Sequence, residues 1–224
     1  MKNNMICLAG VSKKFKEKII FEGLNLEVAK GECIGIVGEN GAGKSVLFKM
    51  ITGLMRMDKG EILIDGELLG EKFDFSEKIG AVINYPGFFD YYSGYDNLKY
   101  LSLIQNKIKD KEIIYAMEMV GLDPQLKTKV GKYSLGMRQK LGIAQAIMEM
   151  QEILILDEPF NAIDYKSQKE IEEFLLQEKA KGRTILLTSH NQEILDRISD
   201  KLYIISEYKL ELMSKESRRK YFCR

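Results

Sequence analysis

The sequence predicts an α/β fold with a mostly parallel sheet core, an N-terminal antiparallel β subdomain and an inserted α-helical subdomain. Three observations predict it. The apolar runs Cys33–Val37, Ile153–Leu156 and Thr184–Thr188 are short and continuous, the pattern of strands covered on both faces. Stretches of helical periodicity alternate with these runs, which argues for parallel pairing. Between residues 85 and 150 the helical patterns stand alone, as an insertion would.

Taken in order, Met5–Leu8 and Leu24–Val28 are β-rich and read as a small antiparallel sheet. Cys33–Val37 reads as a buried strand, followed by a Gly-rich loop and a helix from Lys44 to about Gly53. The segment Gly60–Gly66 reads as a strand entering a tight turn at Asp65-Gly66, and Ile79–Ile83 as a further short strand. Helices are expected over Gly94–Gln105, Lys111–Val120 and Gly136–Met150, with Gly121 and Pro124 as breakers. Then follow strand Ile153–Leu156, helix Lys166–Lys181, strand Thr184–Thr188, helix Gln192–Ile198 and strands Lys201–Ser206 and Lys209–Leu212. Arg218-Arg219-Lys220 reads as a solvated terminus. One domain over residues 1–224 is expected, with 1–84 and 151–224 as core and 85–150 as helical insertion.

Whole-chain properties narrow the function classes. The 224 residues are 45% hydrophobic, enough to bury a substantial core. Lys and Arg number 34 against 33 Asp and Glu, a balance that leaves no electrostatic footprint for nucleic acid. No apolar run approaches the roughly 18 residues of a spanning helix, so direct membrane insertion is not expected and any membrane role must come through another chain. The amino terminus lacks the apolar stretch of a secretion signal. Cys7, Cys33 and Cys223 are far apart and form neither a CxxC pair nor a Cys/His cluster, so neither zinc nor a disulfide framework is expected.

Gly38-Glu-Asn-Gly-Ala-Gly-Lys44-Ser45 fits the phosphate-binding pattern G-x-x-x-x-G-K-[ST] at every fixed position. Glycines let the backbone curl so that its N–H groups converge on phosphate oxygens, and the following helix aims its positive end there. The candidate nucleotide contacts are thus Gly38, Asn40, Gly41, Ala42, Gly43, Lys44, Ser45 and Val46. Lys44 would reach the β- and γ-phosphates, and the Ser45 hydroxyl is a hard oxygen ligand for Mg²⁺. With this loop the fold class narrows to a RecA-like P-loop NTPase holding a nucleoside triphosphate and Mg²⁺, and the loop alone does not choose among ATPases, GTPases and kinases.

Ile153–Leu156 ends in Asp157-Glu158-Pro159. Asp157 at the strand end can hold Mg²⁺, and Glu158 can polarise a water for attack on the γ-phosphate. In isolation the same tripeptide could be a helix cap. His190, the single histidine, follows the strand Thr184–Thr188 and so should stand at the same sheet edge, in reach of a γ-phosphate.

With these residues in view, the chain resembles the ATP-binding cassette (ABC) ATPases across almost its full length. Tyr133-Ser-Leu-Gly-Met-Arg-Gln139 is similar to the family's signature loop, in the form S-x-G-x-[RK]-Q, and stands in the family's order after the P-loop and before Asp157-Glu158. The resemblance implies that Ser134 and Gly136 contact the nucleotide held by a second copy, with Gln139 in the same binding set. It implies that Phe15 stacks on adenine, a core Phe being the rival reading. Asn161–Asp164 resembles the D-loop, which faces the opposite subunit.

Two departures stand out: Asn84 occupies the position of the Q-loop glutamine, and Met137 departs from the usual signature wording. Asn84 keeps an amide but is one methylene shorter, so its approach to Mg²⁺ or the attacking water would run through a second water. Tyr-Ser-Leu-Gly-Met and the Tyr-Pro-Gly-Phe-Phe stretch resemble the drug- and bacteriocin-resistance exporter branch.

The resemblance further implies a motor subunit, acting as a homodimer or pseudo-dimer, cytoplasmic and peripheral on the inner face of the membrane through permease subunits. Six aromatics lie within Tyr85–Tyr95, and Phe88, Phe89, Tyr91 and Tyr92 are expected to line the groove that receives the permease. Rival classes leave no trace. There is no guanine-reading N-K-x-D motif, no second cassette, no zinc site and no coiled-coil insertion. A cassette that binds ATP but hydrolyses it poorly stays open on account of Asn84.

Overall fold

The computed structural model describes residues 4–70, 74–84 and 87–222. Two sheets organise them. In the first, β1 (Asn4–Phe15) pairs antiparallel with β2 (Lys18–Ala29) and with β4 (Lys59–Ile64), and β4 turns into β5 (Glu67–Leu68), giving the order β2-β1-β4-β5. The β4–β5 turn is Asp65-Gly66, both at positive φ (50° and 79°), the hairpin geometry that this dipeptide favours. The first two strands run longer than the apolar clusters suggest. Outside those clusters, exposed residues are carried along by ladder pairing.

The second sheet combines β3 (Cys33–Gly38), β6 (Ile79–Val82), β7 (Ile153–Leu156), β8 (Thr184–Thr188), β9 (Lys201–Ser206) and β10 (Lys209–Leu212) in the order β10-β9-β3-β8-β7-β6. All its pairs are parallel except β10 on β9. Strict alternation of side chains explains why β3, β7 and β8 read as unbroken apolar runs. Cys33 and Val37, Leu154 and Leu156, and Ile185 and Leu187 face one buried cluster. Ile34 and Ile36, Ile153 and Ile155, and Leu186 face the other. The second cluster is closed by α1 (Lys44–Ile51) and the antiparallel sheet. The first is closed by α2 (Gly94–Gln105), α3 (Asp110–Met119), α4 (Leu135–Ile147), α5 (Tyr165–Ala180) and α6 (Gln192–Ile198).

Helix starts are set by side-chain caps. Ser93, Ser134, Asp164 and Asn191 accept the backbone N–H groups of Asp96, Met137, Ser167 and Ile194 at the heads of α2, α4, α5 and α6. α4 stops earlier than its periodicity suggests, and Met150 turns the chain at a φ of 63°. At the carboxyl end the structure adds an element that the sequence reading did not place. Lys215–Phe222 forms a helix, α7, headed by Ser214, whose Oγ accepts the Ser217 N–H at 3.1 Å. Tyr221 and Phe222 pack against the main cluster and Arg218 lies 3.4 Å from Asp196, while Arg219 and Lys220 stay exposed. The basic residues masked the two apolar anchors behind them.

The helical insertion is seated on the sheet edge by α4. A Cβ placed on Gly80 of β6 would stand 1.7 Å from the Ala146 carbonyl oxygen of α4, so only glycine permits the approach. Gly80→Ala is expected to lower stability by about 1–3 kcal/mol or more, the scale of overpacking, read as a lower urea midpoint. An unchanged midpoint would mean that α4 moves off β6 freely.

Candidate functional site

Parallel register brings the ends of β3, β7 and β8 side by side, with Ile36 opposite Thr188 and Leu156 opposite Leu187. The loops that follow these strands therefore share one edge, where open α/β sheets bind ligands.

The P-loop leaves β3 at Gly38 and curls through Gly41 (φ 82°) to Gly43 (φ 108°), which heads α1. A Cβ on Gly43 would stand 2.7 Å from the Phe21 ring and 2.8 Å from an Ile20 methyl, so apolar residues of β2 press the loop into shape. Lys44 is buried, and its ammonium donates to the Gly38 carbonyl at 2.8 Å, folding the side chain back across the loop.

Asp157 organises the facing side. Its carboxylate accepts from Ser45 Oγ at 2.5 Å and from Thr188 Oγ1 at 2.8 Å, while its own N–H donates to the Val82 carbonyl of β6. Thr188 Oγ1 in turn accepts the Glu158 N–H at 2.8 Å. Glu158 sits at a φ of 51°, a conformation that costs a side-chain-bearing residue about 1 kcal/mol or more. That turn aims its carboxylate inward. Glu158 Oε1 is buried without a hydrogen-bond partner, 3.2 Å from His190 Nε2 and 3.9 Å from Lys44 Nζ. Burial pushes the Glu158 carboxyl above its ordinary range; His190 and Lys44 pull it back, and Asp157 pushes it up.

One cavity of about 390 Å³ collects most of the expected residues. Asn40, Gly41, Gly43, Lys44, Ser45 and Val46 line it together with Asn84, Gln139, Asp157, Glu158 and His190. Gly38 is buried at the strand end and meets the site only through its carbonyl, and Ala42 turns to a neighbouring cavity of about 490 Å³. Phe15 is not in the lining. It is exposed near the β1–β2 turn with the Lys13 ammonium 5.4 Å from its ring centroid, which also removes the rival reading of a core Phe.

Ser134 and Gly136 likewise lie outside this cavity. Ser134 is exposed at the head of α4, and Gly136 packs so closely on α5 that a Cβ would meet Ser167 Oγ at 2.5 Å. Gln139 parts company with them and faces the cavity of its own chain, as does Asn161.

Two contributors escaped the sequence reading. Thr188 orients both acidic residues, and its signal was the single polar residue closing an apolar strand one position beyond the partner of Leu156. Ile20 lines the cavity and carried no signal beyond strand alternation.

The donor set fits Mg²⁺. Ser45 and Asp157 offer adjacent hard oxygens with the Asn84 amide in the same lining, suited to an ion that keeps waters and takes the rest of its shell from phosphates. Among the described residues no group of three His, Cys, Asp or Glu gathers as a closed metal cage.

Comparison with known proteins agrees with this geometry. The family described as ABC transporter matches residues 21–161. The chain is 37% identical over 211 residues to the ABC transporter ATP-binding protein YybJ of Bacillus subtilis, covering 94% of this chain and 97% of that one. It is 32% identical over 208 residues to the lantibiotic transport ATP-binding protein SrtF of Streptococcus pyogenes (93% and 90%). With the bacitracin transport ATP-binding protein BcrA of Enterococcus faecalis it shares 35% over 199 residues (88% and 65%). The fold matches the ATP-binding cassette MJ0796, solved as a dimer bound to ADP and Pi, with a TM-score of 0.81 at 22% identity, covering 94% of this chain and 99% of that one. A P-loop facing an Asp-Glu pair across a parallel sheet edge, in a chain matched along this length, makes it a member of the ABC transporter family and one of its ATP-hydrolysing ATP-binding subunits.

Proposed function

We propose that this subunit is the motor of an exporter of peptide-like compounds, working as two copies beneath membrane-spanning permease subunits. The bacitracin and lantibiotic transport relatives support the cargo class. No helix among the described residues is long and apolar enough to cross a membrane, and the reading assigns the path for cargo to the permease subunits. A position at the cytoplasmic face of the membrane, held by the permease, follows from that reading.

The observation that carries the catalytic reading is the unpartnered Glu158 Oε1, buried between Lys44 and His190 at the sheet edge. The P-loop N–H groups and Lys44 bind the β- and γ-phosphates. Ser45 and Asp157 hold Mg²⁺, which when bound neutralises phosphate charge. Glu158 Oε1 takes the proton of the attacking water, and His190 fixes the carboxylate beside the γ-phosphate. Phe15, half exposed outside the cavity, is free to stack on an adenine that projects past the loop. Ser134 and Gly136, exposed or packed away from their own cavity, are assigned to the nucleotide of the second copy. ATP binding closes the pair and hydrolysis reopens it, because contacts through the γ-phosphate are lost.

Exposed aromatics support the permease contact. Phe89, Tyr91 and Tyr92 are 63%, 82% and 44% exposed, and Tyr92 stacks edge-on with both Phe89 and Tyr100. Phe88 is half-buried against the main cluster, so it supports the patch from beneath, and Tyr85 lies outside the described residues.

Three measurements test these assignments. Glu158→Gln should retain ATP binding and lose about 10²-fold or more in kcat; wild-type turnover would remove Glu158 from the base role. Because the base must be ionised, activity falls as pH drops through a raised carboxyl pKa. The acid limb of kcat/KM should therefore lie above the ordinary glutamate range. His190→Ala should move that limb further up, since His190 favours the carboxylate, and a limb that stays in place would separate the two residues. The triple change Phe89→Ala, Tyr91→Ala, Tyr92→Ala should keep ATP binding but abolish co-purification with the permease. Intact co-purification would dismiss the docking patch.

A further inference from the structure

Gln139 is a polar side chain in an unexpected position. It lies on the second turn of α4, five residues beyond Ser134, and is only 5% exposed. Among the described residues its amide has no hydrogen-bond partner, yet it lines the cavity that holds Asp157, Glu158 and Asn84. An amide brings two donors and an acceptor, and here they open onto the cavity, where they are free to hold water or a ligand.

The packing of α4 explains how the residue arrives there. Ala146 abuts Gly80 on β6. Gln139 is seven residues earlier on the same helix face, about 10 Å toward the helix start. Asn84 lies four residues past Gly80, at the carboxyl end of the same strand. Helix and strand thus bring two amides into the lining of one cavity. Asn84 is short. It is also held at a φ of 59°, in left-handed backbone space.

We propose that Gln139 is a second water-holding amide of its own chain's site, sharing with Asn84 an ordered water in the hydration shell of the Mg²⁺ that accompanies ATP beside Asp157. The assignment rests on the ATP·Mg²⁺ site proposed above. It differs from a role toward the opposite copy, because the lining is formed within one chain. It also divides between two side chains the reach that a single glutamine at position 84 would supply.

Gln139→Leu tests this directly, since leucine fills a similar volume and removes only the amide. A purely structural glutamine without partners would be neutral or stabilising to replace. With Mn²⁺ as the probe ion, electron paramagnetic resonance on Glu158→Gln protein measures Mn²⁺·ATP binding without turnover. Adding Gln139→Leu should weaken that binding about tenfold, the scale of one lost bond to a charged shell, with the thermal midpoint unchanged or raised.

In the otherwise wild-type protein, the effects of Gln139→Leu and Asn84→Ala on the Mg²⁺ dependence of hydrolysis should be non-additive, as for groups holding one water. Unweakened Mn²⁺·ATP binding, or strict additivity, overturns the assignment and leaves the ATP site standing. A Glu158→Gln parent that binds no Mn²⁺·ATP overturns both.

Discussion

The Asp157 carboxylate is the point on which the site depends. One oxygen accepts from Ser45 at the start of α1 and the other from Thr188 at the end of β8, while its backbone N–H reaches β6. Four chain segments, distant in sequence, are thus registered against one another by a single buried residue. The P-loop cannot shift relative to Glu158 without breaking the Ser45 contact. Glu158 cannot leave its strained backbone without releasing the Thr188 hydroxyl, which is already committed to Asp157. A buried carboxylate is tolerated because both oxygens are satisfied.

That registration relies in turn on the alternation within β3, β7 and β8. Odd and even residues feed two separate apolar clusters, so a slip of one residue in any strand would invert both faces at once. The sheet is therefore stiff where the chemistry needs it. The layers above it are seated by close approach: Gly80 against α4, Gly43 against β2 and Gly136 against α5. Each fixes a distance that side-chain packing alone would leave softer.

How much of this was legible in the sequence follows from how local each signal is. The buried strands and the helices from Gly94 to Ile198 were readable because apolar periodicity and caps are local, and the match at Ile153–Leu156, Thr184–Thr188 and Gln192–Ile198 is residue for residue. The P-loop and Asp157-Glu158 were readable because their spacing is fixed by phosphate geometry. Thr188 was not, because its role arises only from the register between β7 and β8. The helix at Lys215–Phe222 was hidden because its apolar content is two terminal aromatics behind three basic residues. Phe15 shows a different limit: a resemblance can name an aromatic, but the exposed ring with Lys13 above it is a matter of side-chain placement.

The replacement of glutamine by Asn84 becomes intelligible from the backbone. At a φ of 59° the residue occupies left-handed space, where Asn is several-fold enriched among non-glycine residues because its short side chain is easily accommodated there. Asparagine therefore stabilises the turn that ends β6, but at the cost of reach into the cavity. In the proposal made above the shorter amide shares its water with a second polar group, and the longer Gln139 reaches the same cavity from α4, which Gly80 holds against that very strand. The departure at position 84 and the buried amide at position 139 are then two consequences of one choice of backbone geometry.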